Sequence, residues 1–314
     1  MSFLDVVRRM RGGVAAIAMV ASCFAGSEIA NAGPESTDPI VIGQQDWTGS
    51  TITSNIVKKL LEKMGYNVKV VPVDATAVFT GLQTGDVTFV TEIWMSSEAD
   101  MAEASLKTGK TVEIGPTGLV GWDRYWYPEY VKDKCPGLPD WKALNACAKL
   151  FATPETGDKG RLLLNPEDWG GNDDERIKTL GLNFQIVHAG SEAALLAQVK
   201  AAYQRKQPIL AWLYTPHWAP LAYKGEFVDL PPYTDDCPKK GFGCEKKAAP
   251  IVKFANADAE KKWPKAYALM KSFTMTNDEY GHLTGEIANE GKPLDTVVDG
   301  WIAANKDRWS KWTQ

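Results

Sequence analysis

Gly85-Asp-Val-Thr-Phe-Val-Thr-Glu-Ile-Trp-Met-Ser-Ser-Glu-Ala-Asp-Met101 is a short strand-like run that delivers a tryptophan into a polar loop. In an extended chain Val87, Phe89 and Thr91 share one side, while Thr88, Val90, Glu92 and Trp94 share the other. Trp94 then emerges just before a Ser-Ser-Glu helix start, the place where open α/β sheets present ligands. Upstream, Pro39-Ile-Val-Ile-Gly-Gln-Gln-Asp-Trp47 reads as a buried strand ending in a polar loop. A helix is expected over residues 52–64, with Ile52, Ile56, Leu60 and Leu61 as its apolar face and Gly65 as its stop. A second strand at residues 67–73 and a short helix at 75–84 complete a βαβαβ order, which implies a parallel sheet covered by helices.

A single tryptophan of this kind is ordinarily core. This chain has 12, and Trp47, Trp126, Trp169, Trp212 and Trp218 also lie beside turn residues at the ends of apolar runs. Several rings at loop positions can wall a small pocket for a methylated ammonium group, held by cation–π attraction and apolar contact.

The 314 residues suffice for one large domain or two lobes, each with its own core. A net charge of -4, with no basic run interleaved with aromatics, argues against nucleic-acid binding. Residues 1–32 read as a secretory signal. Arg8, Arg9 and Arg11 precede a small-residue apolar stretch, and Ala30-Asn-Ala32 supplies a cleavage site. Val20-Ala-Ser-Cys23 also resembles a lipoprotein processing box, so Cys23 is the alternative anchor. No later segment is apolar over a membrane-spanning length, so the expected location is the periplasm. The remaining cysteines, Cys135, Cys147, Cys237 and Cys244, allow three connectivities. We read local pairs, Cys135 with Cys147 and Cys237 with Cys244, each closing a short loop of turn-forming residues. Zinc fits poorly, since neither pair has C-x-x-C spacing and the three His are scattered.

Past the opening unit, residues 95–109 read as a helix and 112–119 as extended. A strand then runs from Gly121 to Pro128, and the crossing into a second lobe falls near its start. Helices at 141–151, 173–180 and 191–205 alternate with a strand ending in a tryptophan-bearing loop over 160–171 and extended runs at 184–188, 208–218 and 227–233. The chain ends in helices at 261–273, 277–290 and 294–312, with Trp263, Trp301 and Trp309 read as core.

With these stretches in hand, the chain resembles the substrate-binding proteins of glycine betaine/proline-type ABC transporters over residues 38–312. The resemblance rests on Leu60-Leu-Glu-Lys-Met-Gly-Tyr-Asn-Val, Leu82-Gln-Thr-Gly-Asp-Val-Thr-Phe, Trp94, Tyr125-Trp-Tyr-Pro-Glu-Tyr-Val, Asn165-Pro-Glu-Asp-Trp-Gly-Gly, Leu213-Tyr-Thr-Pro-His-Trp and Val298-Asp-Gly-Trp-Ile. It implies an α/β, two-lobed periplasmic-binding-protein fold of type II, with parallel-dominated sheets flanked by helices and a hinge between lobes. The expected lobes are residues 33–120 with 246–314, and residues 121–245. It also implies an aromatic cage. Trp94 and Trp169 match cage positions of the family, and Tyr214 stands where a third cage aromatic is expected. Trp47 and Trp126 are added from their loop placement. Glu129, following Pro128, puts a carboxylate where it would suit a cation or a hydrogen-bond donor better than a betaine carboxylate, unless it points to solvent.

The ligand implied is a trimethylated amine osmolyte, of the glycine betaine or trimethylamine N-oxide class, delivered to permease and ATPase subunits without a cofactor. Choline, carnitine or proline binding, and a sensory module of the same fold, are the alternatives. A hydrolase using Glu92, Glu98 and Asp168 lacks any nucleophile motif or phosphate loop. Calcium at Asp235-Asp236 competes with a solvated turn.

Overall fold

The structure is a computed structural model that describes residues 33–313. The signal reading of residues 1–32, Cys23 included, lies outside the described residues.

The opening unit folds as β1 (Ile40–Gln44), α1 (Thr48–Lys63), β2 (Val68–Pro72), α2 (Ala77–Thr84) and β3 (Phe89–Trp94). Strand β1 pairs parallel with β2 and with β3. Helix α1 starts four residues before the expected position, with Trp47 as its N-cap residue, and Ile52, Ile56, Leu60 and Leu61 are fully buried beneath it. Helix α3 (Ala99–Lys107) follows, then β4 (Thr111–Pro128), an 18-residue strand where two separate extended runs were expected.

The second half contains α4 (Trp141–Ala146), β5 (Gly160–Leu164), α5 (Asp173–Leu180), β6 (Phe184–His188), α6 (Glu192–Gln204), β7 (Leu210–Thr215), α7 (Ala219–Ala222) and β8 (Gly225–Phe227). The Ser191 hydroxyl accepts the Ala194 N–H at 3.1 Å, the cap expected for α6. Next comes β9 (Ala249–Asn256), a strand absent from the sequence reading. The chain ends in α8 (Ala259–Lys262), α9 (Pro264–Ser272), α10 (Asn277–Ala288), α11 (Leu294–Ala304) and α12 (Lys306–Trp309). Two of the three expected terminal helices are therefore broken, one at Pro264 and one at Asn305. Trp263 and Trp301 are buried as expected, whereas Trp309 is half-buried.

The strands run in the order β2-β1-β3-β9-β4-β7-β5-β6, with β8 beside β4. The parallel pairs lie in the outer parts, β1 with β2 and β3, and β5 with β6 and β7. Strand β9 runs antiparallel to both β3 and β4 in the middle. Strand β4 pairs with β9 up to Gly121 and with β7 from Trp122, so one continuous strand links the β1–β3 part of the sheet to the β5–β7 part.

Strand β3 has β1 and β9 along its edges and is buried on both faces because α1 lies against one, while Val90 and Ile93 pack with Val78, Phe79 and Leu82 of α2 and Ala102 of α3 on the other. Its register with β9 slips between Val90 and Ile93, where β3 takes up one extra residue. Such a bulge re-aims side chains. Thr91 and Glu92, expected on opposite sides, both reach the Thr53 hydroxyl of α1, at 2.9 and 2.8 Å.

Both local cysteine pairs are bonded, Cys135 to Cys147 and Cys237 to Cys244, with Cα separations of 5.8 and 6.4 Å.

Candidate functional site

The polar loops at the carboxyl ends of β1, β3 and β5, together with the end of β7, converge on one cavity. It is lined by Trp47, Trp94, Ser97, Glu98, Asp123, Trp169, Trp212 and Tyr214. The space open to the centre of a water-sized sphere is about 20 Å³.

Five rings form a closed circuit around it. Trp47 meets Trp94 edge-on at 6.5 Å and Trp169 at 5.3 Å. Trp169 meets Trp212 at 5.9 Å, Trp212 meets Tyr214 at 5.1 Å, and Tyr214 returns to Trp94 at 5.1 Å. Trp47 and Trp94 come from the β1–β3 side and the other three from the β5–β7 side, so each lobe supplies part of the wall. Each ring is buried at 6 % exposure or less. The close approach of β4 depends on Gly121, where a Cβ would lie 2.6 Å from the Trp94 ring.

Four of the five rings give their polar edge to a carboxylate. Trp47 and Trp94 donate their indole N–H groups to Glu92, at 2.8 and 3.2 Å. Trp169 donates to Asp46 at 2.7 Å, and the Tyr214 hydroxyl donates to Glu192. Glu192 also accepts the Thr48 backbone N–H at 2.8 Å, a bond between the start of α6 and the start of α1. Trp212 has no hydrogen-bond partner for its buried indole nitrogen.

These acids differ in charge state for identifiable reasons. Burial pushes the Glu98 carboxyl up to about 8, and the nearby Glu92 and Asp123 add to it, against the Trp94 N–H and the Gln45 amide that Glu98 accepts. Glu98 therefore holds a proton at neutral pH. Burial also acts most strongly on Glu192, but His217, Thr48 and Tyr214 outweigh it and hold that carboxyl below its ordinary value. At Asp123 the burial effect is overcome by Lys246, 2.8 Å away, and by the Ser96 hydroxyl at 2.6 Å. Asp46 is raised by burial and by the charges of Asp168 and Glu192, with the Trp169 N–H acting against them. No Arg, Lys or His is among the residues lining the cavity.

Of the residues singled out from sequence, Trp47, Trp94, Trp169 and Tyr214 meet here. Trp126 does not. It lies on β4 three residues from Asp123, which faces the cavity, and alternation turns it to the other side, where it is 1 % exposed opposite Ala211 and Phe227. Glu129 is exposed at the start of the turn Glu129–Val131, beyond the end of β4, and the carboxyl groups in the wall are instead Glu98 and Asp123. Trp212 is the lining ring missing from the expected set, although two-residue spacing from Tyr214 on a strand puts both on one face. In the Asp235-Asp236 loop, Asp236 is engaged by the Thr234 hydroxyl at 2.6 Å and by Lys240.

The chain is similar to the trimethylamine N-oxide-binding protein of Pelagibacter ubique, with 33 % identity over 307 residues, covering 95 % of this chain and 97 % of that one. It is 26 % identical to the glycine betaine/proline betaine-binding periplasmic protein of Escherichia coli, covering 86 % and 87 %. In fold it is similar to a choline-binding protein of an ABC transporter solved with choline, at TM-score 0.75 and 18 % identity over 89 % of this chain and 92 % of that one. It is also similar to the lactococcal OpuAC protein closed on glycine betaine, at TM-score 0.69 and 17 % identity over 88 % and 100 %. All four are described as binding proteins or as bound to such a ligand, the Escherichia coli one as periplasmic, and no helix among the described residues is long and apolar enough to cross a membrane. Residues 38–304 match the family described as the substrate binding domain of ABC-type glycine betaine transport systems, and the chain belongs to that family.

Proposed function

We propose that the five-ring circuit binds a trimethylated amine, trimethylamine N-oxide before glycine betaine, for delivery to the permease and ATPase of an ABC importer. The observation that carries this reading is the closed aromatic wall around a small cavity that no basic side chain lines, in which Glu98 is protonated and Asp123 is paired with Lys246. A quaternary ammonium donates no conventional hydrogen bond, so a site must recognise its size and diffuse charge, at roughly 0.5–2 kcal/mol per ring face. The compact N-oxide, with its oxygen directly on nitrogen, asks for no cationic partner. The carboxylate of glycine betaine is a full charge held further out, and the lining offers it neither Arg nor Lys.

We read residues 33–120 with 246–314 as one lobe and 121–245 as the other, with the ligand joining their rings and biasing an open–closed equilibrium toward the form the permease recognises. Residues 1–32 are the export signal in this reading, and the mature chain works in the periplasm.

Calorimetric titration of the mature protein with trimethylamine N-oxide, glycine betaine, choline, carnitine and proline tests it. The expected result is micromolar binding, on the order of -8 kcal/mol, for the N-oxide and weaker binding of the rest. Equal or tighter binding of glycine betaine would remove the selectivity argument, and heat from none of the five would remove the cage.

A further inference from the structure

Behind the two rings of the first lobe lies a carboxylate that lines no part of the cavity. Glu92 is fully buried at the bulge of β3. Its Oε2 accepts the Trp47 indole at 2.8 Å, the Tyr280 hydroxyl at 3.0 Å and the Trp94 indole at 3.2 Å, and its Oε1 accepts the Thr53 hydroxyl at 2.8 Å. An indole N–H can only donate, so the two rings require an acceptor at this point. Three of the four donors crowd onto Oε2, and Thr53 alone reaches Oε1. Burial outweighs the four donors and holds the Glu92 carboxyl above its ordinary value. Among the described residues no Lys, Arg or His forms an ion pair with Glu92, and its partners are neutral groups.

The surroundings are shaped to bring these donors together. A Cβ at Gly49 would fall 1.5 Å from the Tyr280 hydroxyl oxygen, so only glycine there admits the tyrosine. The bulge then turns Glu92 toward α1, from the position where a regular strand would carry Thr91 alone.

We propose that Glu92 is the positioning residue of the cage: one shared carboxylate fixes the rotation of Trp47 and Trp94 and, through their N–H bonds, strengthens the attraction of both ring faces for the ligand's ammonium. The inference rests on the methylated-amine reading above. A hydrogen bond from an indole N–H to an anion shifts electron density toward the ring, and a more electron-rich face holds a cation more tightly. An ammonium held in the cage favours the ionised form of Glu92.

A double-mutant cycle tests the coupling. Trp94→Phe keeps an aromatic face and deletes the N–H, and Glu92→Gln keeps the side-chain size and removes the charge. Each alone is expected to weaken trimethylamine N-oxide binding about tenfold, and Trp94→Phe in the Glu92→Gln background to cost less than about threefold further. Losses that simply multiply would overturn the proposal, as would unchanged affinity in Glu92→Gln. Indole ¹H–¹⁵N spectra read the shared acceptor directly, and Glu92→Gln should move the Trp47 and Trp94 signals while leaving Trp169 in place. If Glu92→Gln does not fold, Tyr280→Phe removes one competing donor and should move the Trp47 and Trp94 signals together. Movement of only one of them, or of neither, would show that no acceptor is shared. A wild-type protein that binds none of the amines would sink the functional reading instead, and the spectra would still judge the shared carboxylate.

Discussion

The two sides of the cage are anchored differently. On the β1–β3 side, Trp47 and Trp94 both tie to Glu92, and every partner of that carboxylate comes from α1, β3, the β1–α1 loop or α10. On the β5–β7 side, Trp169 ties to Asp46, 123 residues away on the loop after β1, and Tyr214 ties to Glu192, which also holds Thr48. The first side is thus assembled within its own lobe, while the second is completed by bonds that reach across. The difference teaches that Trp47 and Trp94 are held by a carboxylate of their own side, whereas Trp169 depends on a bond to the opposite side.

The largest expected effect breaks the β1–β3 side. Trp94→Ala should cost about 100-fold in affinity for trimethylamine N-oxide, since it removes a desolvated ring that touches two others. Trp169→Ala should also cost at least about tenfold, and near-unchanged affinity in both variants would refute the cage. A second test sharpens the contrast through rates. Asp46→Asn weakens only a bond that crosses between the sides, so stopped-flow measurements should find dissociation about three- to tenfold faster with association little changed. A loss confined to association would mean that this bond orders the open form instead.

A smaller effect concerns protons. The Glu98 carboxyl is held at about 8 in the folded protein against an ordinary value of 4.5. The folded state therefore keeps a proton that the unfolded chain releases, and the associated stability is full below about pH 4.5 and lost as pH rises toward 8. Thermal unfolding of Glu98→Gln should show a flatter pH dependence across that window than the wild type. An identical slope in both would assign the effect elsewhere. The smallest effect is expected at Glu129→Gln, where an exposed side chain outside the cavity should leave affinity within about 0.5 kcal/mol of wild type.

Much of this arrangement was legible in the sequence, and what was not has physical causes. Helix α5, with three acids in its first turn and Gly181 at its end, and strand β6 are read with their bounds. Strand β9 was missed because Pro250 and Lys253 disguise it. Lys253 is fully buried in the strand, where its ammonium group donates to the Phe273 carbonyl at 2.6 Å and the Lys271 carbonyl at 3.0 Å, and burial lowers its pKa to about 8. Strand β4 is read as two runs parted at Val120, but the chain stays in the strand there and its register with β9 slips between Pro116 and Val120 instead. At the site, loop tryptophans at strand ends were readable one at a time. Their parity was not, since Trp126 follows a glycine-rich stretch in which no sequence pattern sets which face is inward. Nor does alternation foresee a bulge, so the joint turn of Thr91 and Glu92 toward α1 appears only in three dimensions.

The closed circuit of five rings also has an optical consequence. Four indoles and a phenol at contact distance exchange excitation far faster than any one of them emits. Light absorbed at any ring therefore ends on whichever has the lowest excited state, and the circuit behaves as one chromophore. Its near-ultraviolet circular dichroism should carry the signature of coupled transitions, and parting the two sides would remove the Trp47–Trp169 and Trp94–Tyr214 contributions while leaving those within each side. The molecule thus carries its own reporter of closure, one that needs no label and reads both lobes at once.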